Sequence, residues 1–169
     1  YKRQIIKWIN RILSWEPNAR IVLHGVSMGA ATVLMASGED LPENVKVVIA
    51  DCGYTSEWDE FQREADTLHI PWFPVLNATS VLSKVRDGYD FKQASALAQV
   101  KKSRIPTLFI HGSSDELVPY SMLGELYAAA ACEKEELTVE GAGHALSSSV
   151  APTLYWRTVE DFIAKYLDR

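Results

Sequence analysis

The pentapeptide Gly25-Val26-Ser27-Met28-Gly29 lies between an apolar run at 20–25 and an apolar, Ala-rich run at 28–37. Few folds accommodate such a junction. A strand that reverses sharply into a helix at this point holds the serine in a strained backbone conformation with its Oγ exposed. Small residues at Gly25 and Gly29 are expected to let strand and helix approach closely. The start of the helix turns unpaired N–H groups and the positive end of its dipole back toward Ser27. The Met28 N–H is thereby placed to donate to an oxyanion.

The rest of the chain repeats the alternation of strand and helix. After an amphipathic helix over about 2–15, ended by Glu16-Pro17-Asn18, come four strands at 20–25, 46–51, 105–111 and 136–140, the first nearly all apolar. Helices at 28–37, 120–131 and 152–167 fall between and after them. Strands this apolar are buried on both faces, and strands alternating with helices imply a parallel sheet with helices packed on it. The fold class is therefore α/β. Ile5, Trp8, Ile9, Ile12 and Leu13 are expected on one face of the first helix. A chain that opens inside a helix, with no initiator Met, is expected to be a piece of a longer protein.

At 169 residues, with 47% hydrophobic and 23% charged residues, the chain reads as one globular domain with a real core. A net charge of -5 gives no basic surface for nucleic acid, and no apolar run reaches membrane-spanning length. Neither nucleic acid nor membrane is an expected partner, and a cytoplasmic location is the expectation. Cys52 and Cys132 lack metal or redox spacing and are expected to be reduced, largely buried thiols. No His, Asp or Glu pair stands at ligand spacing near the cleft and no phosphate-binding loop is present, so neither a metal site nor a cofactor is expected.

The segment 55–100 is too long for a simple connection and carries Trp58, Phe61, Trp72, Phe73, Tyr89 and Phe91. Ile70-Pro71-Trp72-Phe73-Pro74 cannot be continuous helix. One reading is a cap or lid whose aromatics, Trp58, Phe61, Trp72 and Phe73, bind an apolar substrate. The other is that part of the segment is a crossover helix with its rings in the core.

A serine hydroxyl needs a neighbouring base to become a nucleophile. Among four histidines, His24 and His111 lie within strands and His69 in the aromatic segment, whereas His144 sits in the loop Gly141-Ala142-Gly143-His144-Ala145 after the last strand. In a parallel sheet all strand C-termini open on one edge, where ligands bind, so Ser27 and His144 meet there. His24 and His111 are expected to hydrogen-bond locally. The base requires an acid, and Asp115 follows the third strand; Asp51, at the end of the second, is held as the alternative. Glu116, beside Asp115, is expected to be solvated.

His24-Gly25-Val26-Ser27-Met28-Gly29-Ala30-Ala31-Thr32, Ala50-Asp51-Cys52-Gly53-Tyr54-Thr55-Ser56, His111-Gly112-Ser113-Ser114-Asp115-Glu116-Leu117-Val118-Pro119 and Gly141-Ala142-Gly143-His144-Ala145 together resemble the α/β-hydrolase superfamily. More narrowly, they are similar to its bacterial serine hydrolases of the esterase kind. The resemblance covers the chain from Tyr1 to Arg169. It implies a single, truncated α/β-hydrolase domain over 1–169: a partial fold with a parallel sheet of about four strands, flanked by helices, and 55–100 as a cap-like insertion. It also implies Ser27 as nucleophile, Asp115 as acid, His144 as base and an acyl-enzyme reaction on a small acyl ester. A peptidase, thioesterase or acyltransferase shares this machinery; a non-catalytic small-ligand-binding module or an inert fragment is the alternative. A complete member has further strands upstream, and a loop among them supplies a second oxyanion N–H. Nothing upstream of Ser27 provides it here, so weak turnover is expected of the chain alone. The strand at 20–25 would present an apolar edge, through which a homo-oligomer is expected.

Overall fold

The computed structural model describes residues 2–167. Tyr1, Asp168 and Arg169, the ends of the domain read from sequence, lie outside them. The elements run α1 (Lys2–Trp15), β1 (Ile21–Val26), α2 (Met28–Ser37), β2 (Val45–Asp51), α3 (Glu57–Thr67), α4 (Trp72–Asp87), α5 (Ala96–Val100), β3 (Thr107–Gly112), α6 (Ser121–Ala129), β4 (Lys134–Val139), α7 (Ser147–Val150) and α8 (Pro152–Tyr166). The four strands form one parallel sheet in the order β1-β2-β3-β4.

Alternate residues of β1, β2 and β3 feed two separate cores. Leu23, Val48, Ala50 and Phe109 pack with α1, α2, α5 and α6 on one face. Val47, Ile49, Leu108 and Ile110 pack against Tyr155, Val159 and Phe162 of α8 on the other. Both faces of the sheet are thus covered, which is why the central strands read as unbroken apolar runs. On α1, Ile5, Ile9, Ile12 and Leu13 meet the core, but Trp8 is 62% exposed. Trp8 lies at the rim of the helical stripe, one turn position too far round to reach the sheet, so its expected place on the packed face is corrected.

The segment 55–100 resolves into two parts. Ser56 and Ser95 cap α3 and α5 by accepting the Asp59 and Ala98 N–H groups, and these two serines also pair as an antiparallel bridge. Glu57 N–H to Ala94 O and Leu97 N–H to Thr55 O close the neck on either side. What lies between, α3 and α4, is an excursion from the fold. Beyond the neck, Ala96 and Val100 of α5 are buried in the main core, so 96–100 belongs to the crossover rather than to a cap. Pro71 starts α4, and Phe73 departs from helical geometry immediately afterwards, as the Pro-Trp-Phe-Pro sequence requires.

Past the strand ends the ladder continues: Ser27 N–H donates to Asp51 O, Cys52 N–H to Ile110 O and Ser113 N–H to Val139 O. The residues after β1 to β4 are therefore aligned along one edge of the sheet.

Candidate active site

Ser27 has φ 55 and ψ -119, a conformation costly for a residue with a side chain, and it caps α2. Its strain is held by packing. A Cβ on Gly25 would fall on the carbonyl carbon and oxygen of Gly29 and on the Ala30 nitrogen, whereas one on Gly29 would meet nothing. The close approach therefore needs Gly25 alone, which corrects the expectation for Gly29. Gly25→Ala is expected to destabilise the chain by about 3 kcal/mol, because rigid backbone rather than a flexible side chain must move. Urea unfolding would read this, and a loss below about 1 kcal/mol would show that the elbow can relax. Met28 is the first residue of α2, so its N–H has no acceptor within the helix.

Ser27 Oγ lies 2.7 Å from His144 Nε2, and His144 Nδ1 lies 2.9 Å from Asp115 Oδ2. With the carboxylate accepting from Nδ1–H, the Nε2 lone pair faces the serine hydroxyl. The Asp115 side chain is fully buried, and its Oδ1 accepts the N–H groups of Leu117 and Val118 at 2.9 Å each. Those two bonds fix the carboxylate before His144 arrives. His144 is one-fifth exposed and so faces the cleft. Its loop is pinned rather than loose: Gly141 and Ala145 take left-handed conformations, Ser114 N–H donates to Ala142 O, and Gly141 N–H donates to Ser113 Oγ.

The other candidates separate cleanly. Glu116 is exposed. His69 is exposed on the excursion. His111 is buried; its Nε2–H donates to Val118 O at 3.0 Å and lies 3.3 Å from Asp115 Oδ2, behind the triad. His24 bonds not locally but across the fold, its Nε2 3.0 Å from the Tyr155 hydroxyl. Burial lowers its pKa.

Asp51, the alternative acid, is bonded to other partners than His144. Its Oδ1 accepts the Ser147 hydroxyl at 3.1 Å and its carboxylate also bonds the Tyr155 hydroxyl, so it anchors α7 just beyond His144. Burial raises its pKa, against the pull of Ser147, Tyr155, His111 and His144. The folded chain thus keeps this proton where the unfolded chain has released it. That contribution to stability is complete below about pH 4 and is lost as pH rises through the raised value. Asp51→Asn is accordingly expected to gain melting temperature relative to wild type as pH goes from about 4 to 7. A difference independent of pH would show that the carboxylate is unperturbed.

The aromatic residues assigned to substrate make their ring contacts within the excursion and its neck. Phe61 packs on Phe91 at 4.9 Å, Trp58 carries the Lys92 ammonium at 4.4 Å, and Trp72 meets Phe73 edge-on. Two features near His144 escaped sequence reasoning. On α3, Glu60 feels the charge of His144, and its ion pair with Arg63 leaves Glu60 Oε2 and Arg63 Nε buried without partners. Cys52, with φ 48 at the end of β2, brings its thiol within 4.8 Å of ligand atoms of both Asp115 and His144. Burial pushes that thiol up to about 12. Cys132 is half-buried, and its thiol faces Thr107 Oγ1.

Residues 5–169 match the model of the prolyl oligopeptidase family. The uncharacterized protein YqkD of Bacillus subtilis is 30% identical over 168 residues, covering 96% of this chain and 54% of that protein. The alpha/beta hydrolase domain-containing protein WAV2 of Arabidopsis thaliana is 31% identical over 157 residues, covering 88% of this chain and 48% of its own. The chain thus spans about half the length of these relatives. Among solved structures, the acylaminoacyl peptidase of Pyrococcus horikoshii superposes with a TM-score of 0.73 at 18% identity, over 99% of this chain and 28% of its own. An esterase domain from Rhodothermus marinus gives 0.64 at 19% identity, over 93% and 65%. At such identities these likenesses concern the fold, and they agree with the parallel sheet flanked by helices. The chain belongs to the prolyl oligopeptidase family, a family of hydrolases within the α/β-hydrolase superfamily.

Proposed function

We propose that this chain carries the catalytic centre of a serine hydrolase that cleaves carboxylic esters through an acyl-enzyme. The observation that carries the reading is the hydrogen-bond chain Ser27 Oγ–His144 Nε2, His144 Nδ1–Asp115 Oδ2, at 2.7 and 2.9 Å. Ser27 Oγ attacks the acyl carbonyl while His144 Nε2 takes its proton. The Met28 N–H holds the oxyanion. His144 returns the proton to the departing alcohol, water attacks the acyl-enzyme, and the acid leaves. Asp115 keeps His144 in the required tautomer and stabilises the imidazolium.

A fluorophosphonate tests the reading, since only an activated serine reacts rapidly with it. One equivalent incorporated at Ser27 is expected; no labelling would leave the non-catalytic binding module as the better account. Labelling reports the activated serine directly, whichever leaving group the enzyme prefers. The family match favours a second reading, hydrolysis of an acyl amide by the same residues. Comparison of an activated ester with the matching anilide decides between them, as an amide turned over at least as fast would make this a peptidase.

The same proposal includes a homo-oligomer formed through β1. The two sheet edges differ: β4 opens with Lys134, Glu135 and Glu136, charges that discourage pairing, whereas β1 reads Ile-Val-Leu-His-Gly-Val. Sedimentation is expected to show a concentration-dependent dimer, and a monomer at high concentration would refute it. A cytoplasmic location is likewise proposed; among the described residues no helix is long and apolar enough to cross a membrane.

A further inference from the structure

We propose that Cys52, Asp115 and His144 form a site for one soft divalent cation, Zn²⁺ or Cd²⁺, whose occupancy is incompatible with the hydrogen-bond chain through Ser27. The Cys52 sulfur, an Asp115 oxygen and a His144 nitrogen all lie within 4.8 Å of one another. A tetrahedral ion with metal–ligand bonds of about 2.0–2.3 Å holds its ligand atoms roughly 3.5 Å apart, so the closure needed from separations of up to 4.8 Å is at most about 1.3 Å. His144 can supply it by turning its ring, being the one of the three whose side chain reaches solvent.

The chemistry of the three atoms selects the ion. Thiolate, imidazole and carboxylate together suit zinc or cadmium and leave a fourth position for water. Mg²⁺ and Ca²⁺, which require several oxygen ligands, find only one carboxylate here. On binding, a sulfur lone pair forms the metal bond and the S–H proton passes to solvent; no electron is transferred. Nothing in the hydrolytic reaction uses Cys52, yet the end of β2 holds it in a left-handed turn facing these two partners.

Both ring nitrogens of His144 are already committed, one to Ser27 and one to Asp115. A cation on either nitrogen therefore replaces one of these bonds. Bound to Nε2 it removes the lone pair that accepts the serine proton; bound to Nδ1 it removes the tautomer-fixing bond. The consequence for turnover rests on the hydrolase reading above, whereas binding itself does not.

Titration of the chain with Cd²⁺, followed by thiolate-to-metal charge-transfer absorption and calorimetry, tests this. One site is expected in the wild type, and Mg²⁺ should not compete for it. Ser27→Ala and Cys132→Ala should keep the site. Cys52→Ala and Cys52→Ser should each lose at least about tenfold in affinity, the least that a supporting partner of a metal site is worth. Cd²⁺ should also slow fluorophosphonate labelling of wild type but not of the Cys52 variants. No binding to wild type, equal binding to both Cys52 variants, or binding that leaves labelling untouched would each overturn the proposal. A protein that binds Cd²⁺ through Cys52 yet never labels at Ser27 would instead refute the hydrolase reading and leave the metal site standing.

Discussion

Ser27→Ala is expected to abolish fluorophosphonate labelling and to lower kcat for an activated ester by about six powers of ten, with KM little changed. The size of the effect follows from what the hydroxyl does. No bond to the acyl group forms without it, and His144 then has only water to activate, in a geometry set up for Oγ. The variant should fold normally. Alanine keeps the Cβ of serine, so φ 55 imposes no new clash, and the close Gly25–Gly29 contact that holds the elbow is untouched. The lost partner of His144 Nε2 is replaceable by water, because the ring is one-fifth exposed. A melting temperature within a few degrees of wild type, together with lost labelling, separates chemistry from folding. Labelling that persists in Ser27→Ala would remove Ser27 as nucleophile.

The parts of this molecule legible in sequence were those set by local spacing. The strand-Gly-x-Ser-x-Gly-helix junction constrains its own geometry, and the apolar runs at β1, β2 and β3 mark buried strands because both faces of the sheet are covered. Ser27, Asp115 and His144 could be ordered because each follows a strand in a parallel sheet, and all such ends share an edge. Illegible were contacts that depend on how distant segments meet. Nothing in Ala50-Asp51-Cys52-Gly53 signals that the thiol lies close to both Asp115 and His144, since that follows from the register of β2 against β3 and the fold of the β4 loop. Asp51 could be placed at the correct sheet edge but not assigned a partner, because Ser147 and Tyr155 lie about a hundred residues away. Trp8 misled for the opposite reason. Its spacing fits the apolar stripe, but the surface available to α1 ends before it.

Asp115→Asn is expected to lower kcat by about four powers of ten while leaving KM and the melting temperature close to wild type. Oδ1 accepts two backbone N–H groups, from Leu117 and Val118, so the asparagine oxygen must occupy that position and the amide NH₂ must face His144 Nδ1. The opposite orientation would set the NH₂ against those two donors inside a fully buried pocket. Facing an NH₂, Nδ1 can only accept, so the proton of neutral His144 moves to Nε2 and points at Ser27 Oγ. The imidazole is still present but is the wrong tautomer to take the serine proton. Glu116 cannot substitute, being solvent-exposed. Asp51 cannot either, since its carboxylate is held by Ser147 and Tyr155. The comparison with Asp51→Asn is therefore decisive: that variant should change the pH dependence of stability and cost far less activity. If Asp115→Asn stays within about tenfold of wild type while Asp51→Asn loses the larger factor, the acid is Asp51, and the buried carboxylate beside Leu117 and Val118 only braces the loop.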